Sequence, residues 1–212
     1  GRFAGDALFD RLGRAVCSAG CLPRKELYEA WEVARRVRRL FRGGRVVDLG
    51  GGHGLLAQAM LLLDNSSPDA LVVEPALPAS SARVHAALVE AWPRLAGRIE
   101  FVESPLEDVE LKETDVVVSC HACGDLTDRV LDRAVGARAR VAVLPCCHDL
   151  ATCDWGSLAA IDILRAVRVE RRGYRVWTQT IPATITPKNR LLLAAISGGL
   201  PSSARSATAG PP

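Results

Sequence analysis

No apolar run in this chain is long enough to span a bilayer. The most apolar stretch, residues 55–63, falls well short of the ~20 residues a membrane-crossing helix needs, and Gln58 interrupts it. No membrane partner is expected. A strong net charge is missing too. The 27 Lys and Arg residues against 24 Asp and Glu leave +3, too little for bulk charge alone to establish a nucleic-acid partner. A disulfide framework is equally absent. The seven cysteines, Cys17, Cys21, Cys120, Cys123, Cys146, Cys147 and Cys153, are odd in number and two are adjacent, a pattern that suits a reducing compartment, cytoplasmic or another intracellular one. The chain begins at Gly1 rather than Met, so the lack of a targeting segment decides nothing about where it works. There is no internal repeat, and nothing in the sequence reports the oligomeric state.

What is present is an alternation. Short runs of β-branched and aliphatic residues at 45–49, 70–75, 98–102, 115–119 and 140–144 read as buried strands. Helical segments fall between them at 54–63, 80–92, 126–135 and 157–168. Strands alternating with helices predict an α/β fold with a parallel sheet covered on both faces. Two further strand-like runs, 174–181 and 190–196, are separated only by a proline-bearing loop and predict a closing antiparallel hairpin. Residues 8–41 read as helical, with Pro23 near the first turn of a second helix and Gly43-Gly44 ending it. The expected organisation is a helical segment over 1–42, an α/β domain over 43–197 and a disordered Gly/Pro/Ser/Ala-rich tail over 198–212. Arg35, Arg36, Arg38, Arg39, Arg42 and Arg45 fall in one stretch with no acid among them. They form either a phosphate-facing patch or a solvated helix face.

The sharpest motif, Val47-Asp48-Leu49-Gly50-Gly51-Gly52-His53-Gly54, closes the first strand and opens a helix. Ligands of open α/β sheets bind at that edge, and glycines there let a backbone pass close beneath them. Gly50 and Gly52 fit the first two places of the dinucleotide pattern Gly-x-Gly-x-x-Gly, but Leu55 holds the third. A turn without a ligand is the remaining reading. Glu74 ends the second strand about 20 residues on, where a carboxylate can accept ribose hydroxyls.

The acid, apolar, Gly-x-Gly-x-Gly pattern resembles the first motif of class I S-adenosylmethionine methyltransferases. The resemblance implies a Rossmann-like, mostly parallel seven-stranded sheet with a terminal antiparallel hairpin, and S-adenosyl-L-methionine as cofactor. It places Asp48, Gly50, Gly51, Gly52, Gly54 and Glu74 at that cofactor, His53 there through its backbone, and Glu103 and Ser104 near its adenine, with Glu107 and Asp108 as alternatives.

Two unusual segments follow the fourth and fifth strands: Cys120-His121-Ala122-Cys123-Gly124-Asp125 with Thr127-Asp128, and Pro145-Cys146-Cys147-His148. They resemble a methyltransferase subfamily that includes the methyltransferase-like 25 and glutathione S-transferase C-terminal-domain-containing proteins. The tRNA acceptor-stem ribose methyltransferases share a related pattern. Neighbouring strands would bring both segments beside the reacting methyl group. There His121 or His148 could act as general base, with Asp125 orienting one of them, and His121 could also touch the cofactor. Cys120, Cys123, Cys146, Cys147 and His148 could instead hold zinc, although no metal is assigned. Cys146 or Cys123 could act as a nucleophile, or the cysteines could simply pack. The catalytic candidates are therefore His121, Asp125, His148 and Cys146.

The function expected is methyl transfer to an O or N acceptor, with RNA favoured over protein or a small molecule on the arginine stretch and the tRNA-enzyme likeness. The alternative is a non-catalytic methyltransferase-like module that binds RNA or protein. A nicotinamide oxidoreductase is disfavoured by Leu55. Lys188, Asn189 and Arg190 either reach the acceptor or form a polar hairpin loop. Trp31, Trp92, Trp155 and Trp177 read as packing, and His85 as a surface residue without a role.

Overall fold

A computed structural model describes residues 2–120, 122–145 and 157–198. Helices α1 (Leu8–Ala19) and α2 (Arg24–Leu40) precede the sheet. Then follow β1 (Val46–Leu49), α3 (Leu55–Leu63), β2 (Ala70–Glu74), α4 (Ser81–Ala91), β3 (Ile99–Glu103) and β4 (Val116–Ser119). Helix α5 (Leu126–Gly136), β5 (Arg140–Val143), α6 (Leu158–Glu170), β6 (Tyr174–Thr180) and β7 (Arg190–Ile196) complete the order. The seven strands lie in the order β3-β2-β1-β4-β5-β7-β6. Pairings among β1 to β5 are parallel, and β7 runs antiparallel to both β5 and β6. The expected mostly parallel sheet with its closing hairpin is what forms, with strand limits shifted by at most a residue or so.

Strand alternation sends neighbouring side chains to opposite faces. Val46, Val72, Val116 and Val118 join one core, shared with α1 to α4. Val47, Leu71, Val73 and Val117 join the other, shared with α5. Both faces are apolar because both are covered, which is why the strands read as continuous hydrophobic runs. Helix α3 is buried nearly all round and packs against α2. Leu12, Val33 and Val37 place α1 and α2 within the first core. No helix among the described residues is long and apolar enough to cross a membrane.

Two expectations need correction. Helix α2 stops at Leu40, before Gly43-Gly44, because Phe41 turns extended and is buried edge-on against Trp177. Burial of that aromatic ends the helix, so the glycines are not its cap. The arginine stretch is not one surface either. Arg35 and Arg36 pair with Glu32 of their own helix, and Arg45 pairs with Asp115. Arg38 is only 3% exposed. It donates to the Met60 carbonyl and Ser67 Oγ and faces Asp64 at 3.5 Å. Burial pulls its guanidinium down to about 10. Only Arg39 and Arg42 stand exposed from this stretch. Arg38→Met leaves Asp64 without its buried counter-charge and is expected to cost about 3 kcal/mol, read from the urea unfolding midpoint. The tail beyond residue 198 lies outside the described residues, as does Trp155.

Candidate active site

The site grows from the carboxyl end of β1. Leu49 is the last residue held in the sheet, and the chain then turns through five residues, Gly50 to Gly54, before α3. The amides of Gly50 and Gly51 donate to the Val73 carbonyl on β2. That fixes the bend beside the neighbouring strand end. Gly52 continues it with φ +52°, and its amide donates to Glu74 Oε1 at 2.7 Å. Gly54 begins α3 at φ +71°, where a Cβ would sit 2.8 Å from the ring of Phe101. A side chain there would be strained by both backbone and crowding.

Asp48 lies beneath this bend and is 1% exposed. Its Oδ2 accepts the Ala57 amide of α3 at 3.3 Å, while Oδ1 is buried with no hydrogen-bond partner among the described residues. Burial pushes the carboxyl up to about 7. The Ala57 amide opposes that rise and the charge of Glu74 adds to it. A buried, half-satisfied carboxylate is costly, and here it faces a cavity.

That cavity has a volume of about 340 Å³. Its lining comprises Asp48, Gly50, Gly51, Gly52, His53 and Glu74, with Leu55 and Leu56 of α3, Cys120 after β4, Leu126 of α5, and Glu26 and Ala30 of α2. His53 Nδ1 lies 2.9 Å from Ser80 Oγ. The bend, Asp48 and Glu74 are thus brought together as the sequence suggests. Gly54 stands just behind them at the start of α3.

Other expected residues fall elsewhere. Glu103 sits next to Glu74 in the sheet register, and the Ser104 amide donates to the Glu74 carbonyl at 2.9 Å. Neither lines the cavity; Glu103 accepts the Leu77 amide instead. Glu107 is tied to Arg129 on the surface. Asp125 is exposed and borders a different cavity of about 470 Å³, with Gly124, Asp128, Arg165 and Arg168. Arg165 binds Asp128 and the Gly124 carbonyl, and Thr127 Oγ1 donates to the Ala122 carbonyl. These bonds hold the loop after β4 against α5 and α6. Asn189 Nδ2 donates to the Ile181 carbonyl and closes the β6–β7 hairpin, and Arg190 faces Asp162 at 3.5 Å. His121, Cys146, Cys147 and His148 lie outside the described residues. Among the described residues no group of three or more His, Cys, Asp or Glu could hold a metal ion.

Two contributions are not visible in the motifs. Glu26 and Ala30 reach the cavity from α2, and only the packing of α2 on α3 puts them there. His85 is half-buried rather than a bare surface residue. Its Nδ1 lies 2.9 Å from Oε1 of fully buried Gln58, whose Nε2 donates to the Gly54 carbonyl. Burial lowers the His85 pKa. The Gly54–Gln58–His85 chain braces the end of the bend from behind.

An open α/β sheet with β7 inserted antiparallel between β5 and β6, and a glycine bend with an acid on the next strand, define the class I methyltransferase arrangement. The chain matches a methyltransferase domain family over residues 25–153, more than half its length, and it belongs to that family. No curated protein sequence matches it. Among solved structures it is similar to an O-methyltransferase family protein from Burkholderia thailandensis, with 19% identity and TM-score 0.53, covering 93% of this chain and 62% of that one. It is also similar to a ribosomal protein L11 methylase from Lactobacillus delbrueckii subsp. bulgaricus, with 16% identity, TM-score 0.52 and coverage of 79% and 76%. A third likeness is to M. capricolum TrmK bound to S-adenosylhomocysteine, with 12% identity, TM-score 0.51 and coverage of 79% and 68%. At these identities the likeness is one of fold. The chain spans 62% of the length of the Burkholderia protein.

Proposed function

We propose that this chain binds S-adenosylmethionine in the cavity after β1 and transfers its methyl group to an O or N acceptor, with RNA as the acceptor class. The observation that carries the cofactor reading is the charge of the cavity. Glu26, Asp48 and Glu74 line it, and no lysine or arginine does so among the described residues. The carboxylates of Glu26 and Glu74, joined by Asp48 once a cation draws it into its ionised form, attract a ligand bearing a sulfonium and an ammonium group and repel the pyrophosphate of a dinucleotide. The partnerless Oδ1 of Asp48 fits such a ligand as well.

Glu74, its Oε1 oriented by the Gly52 amide, would accept the ribose hydroxyls, and Glu103 and Ser104 on the adjoining strand end are proposed for the adenine side. Cys120 and Leu126 would form the apolar wall that keeps water from the reacting end. When bound, the cofactor supplies an electrophilic methyl group on a positive sulfur. The chain's task is then to align the acceptor and to remove its proton where it carries one. His121 and His148 are proposed for that proton, with Asp125 orienting one of them and Cys146 in the acceptor wall. The choice of RNA rests on the likeness of the Cys/His segments to tRNA-modifying enzymes and on the exposed Arg39 and Arg42.

The test is incubation with methyl-labelled S-adenosylmethionine and either total RNA or total protein. Label is expected in the RNA fraction. Label confined to protein would overturn the acceptor class. Binding without transfer to either fraction would favour a non-catalytic module.

A further inference from the structure

The three carboxylates of the cavity do not stand alike. Glu74 holds the Gly52 amide, and Asp48 lies under the bend against the Ala57 amide. Glu26 is different. It sits in the first turn of α2, half-buried, and lines the cavity from that helix rather than from the strand ends. Its carboxylate has no ion-pair or hydrogen-bond partner among the described residues, whereas the other acids of its helix are engaged. Glu29 meets Lys25 at 3.4 Å, and Glu32 takes Arg35 and Arg36. A half-buried carboxylate with nothing to accept from gains most from a charged donor delivered by a ligand.

We infer that Glu26 binds the α-ammonium group at the amino-acid end of the cofactor, making α2 a working wall of the site. This rests on the S-adenosylmethionine reading. The chemistry is selective. Ribose hydroxyls are neutral donors and already have Glu74 at the strand end. The sulfonium has no proton to give. The ammonium has three N–H donors and a full charge, the best match for an unpartnered carboxylate. Glu26 would then discriminate between adenosine ligands that carry the amino-acid end and those that lack it.

The experiment compares S-adenosylhomocysteine with 5′-methylthioadenosine, which has no ammonium, by calorimetric titration of the wild type, Glu26→Gln and Glu26→Asp. Glu26→Gln keeps the side-chain length and removes the charge. Its dissociation constant for S-adenosylhomocysteine is expected to rise about tenfold, the effect of losing one charge-assisted hydrogen bond, while that for 5′-methylthioadenosine stays unchanged. Glu26→Asp is expected to recover part of the loss. An equal loss for both ligands, or none for S-adenosylhomocysteine, overturns the assignment of Glu26 and leaves the cofactor reading standing. Failure of the wild type to bind S-adenosylhomocysteine at all overturns the cofactor reading itself, and the assignment of Glu26 with it.

Discussion

Glu74→Ala is expected to weaken S-adenosylhomocysteine binding by about a hundredfold while leaving the fold intact. Two losses combine. The carboxylate that would accept ribose hydroxyls disappears, and hydrogen bonds to a charged group are worth about 1.5–3 kcal/mol each. The Gly52 amide, which donates to Glu74 Oε1 at 2.7 Å, also loses its anchor, so the bend is no longer held in its binding shape. Glu74 is only partly buried at the strand end, so its removal opens no large void in the core. Equilibrium titration, with a thermal melt as control, reads the effect. Wild-type affinity in Glu74→Ala would remove Glu74 from the site and leave the bend without its proposed ribose acceptor.

A second large effect concerns pH and Asp48. Burial raises its carboxyl to about 7 from an ordinary 3.8. Between those values the folded protein keeps a proton that the unfolded chain releases. The contribution of Asp48 to stability of the ligand-free protein is therefore full below pH 4, falls as pH rises towards 7, and levels off above it. A shift of this size corresponds to a loss of up to about 4 kcal/mol. Asp48→Asn carries no titrating group and should lack this slope, so its advantage over the wild type grows from pH 5 to pH 8 in urea unfolding. Parallel profiles for the two proteins would refute the buried titration. A cationic ligand beside Asp48 favours the ionised form. Affinity for S-adenosylmethionine should therefore rise from pH 6 to pH 8 in the wild type, with release of a proton, and stay nearly flat in Asp48→Asn.

Much of this architecture can be read directly from residue order. Runs such as Val116–Val118 are apolar on both faces because helices cover both faces of the sheet, and no tertiary knowledge is needed to see them. The bend after β1 and its acid on β2 are equally legible, since close backbone approach demands glycine and the spacing to Glu74 follows from one βαβ unit. The limits appear where packing decides. Arg38 looks like any other cation of its stretch, yet it lies one residue past buried Val37 and turns inward to Asp64. Glu26 looks like a solvated acid in the first turn of a helix. The packing of α2 on α3, which no local pattern records, brings it to the cavity. Glu103 and Ser104 show the converse, since adjacency in the sheet to Glu74 is legible but facing the cavity is not. His85 reads as a surface residue because nothing local marks Gln58 as its buried partner.

The position of β7 has a consequence for biosynthesis. The last strand among the described residues, β7, is not at the sheet's margin but is wedged between β5 and β6, and residues 191–195 are almost wholly buried. Until that strand emerges from the ribosome, β5 presents a bare row of amides and carbonyls, and β6 has no strand beside it. A product truncated before Arg190 would therefore expose a sticky β-edge prone to pairing with other chains. For this chain, premature termination predicts aggregation rather than a smaller folded domain.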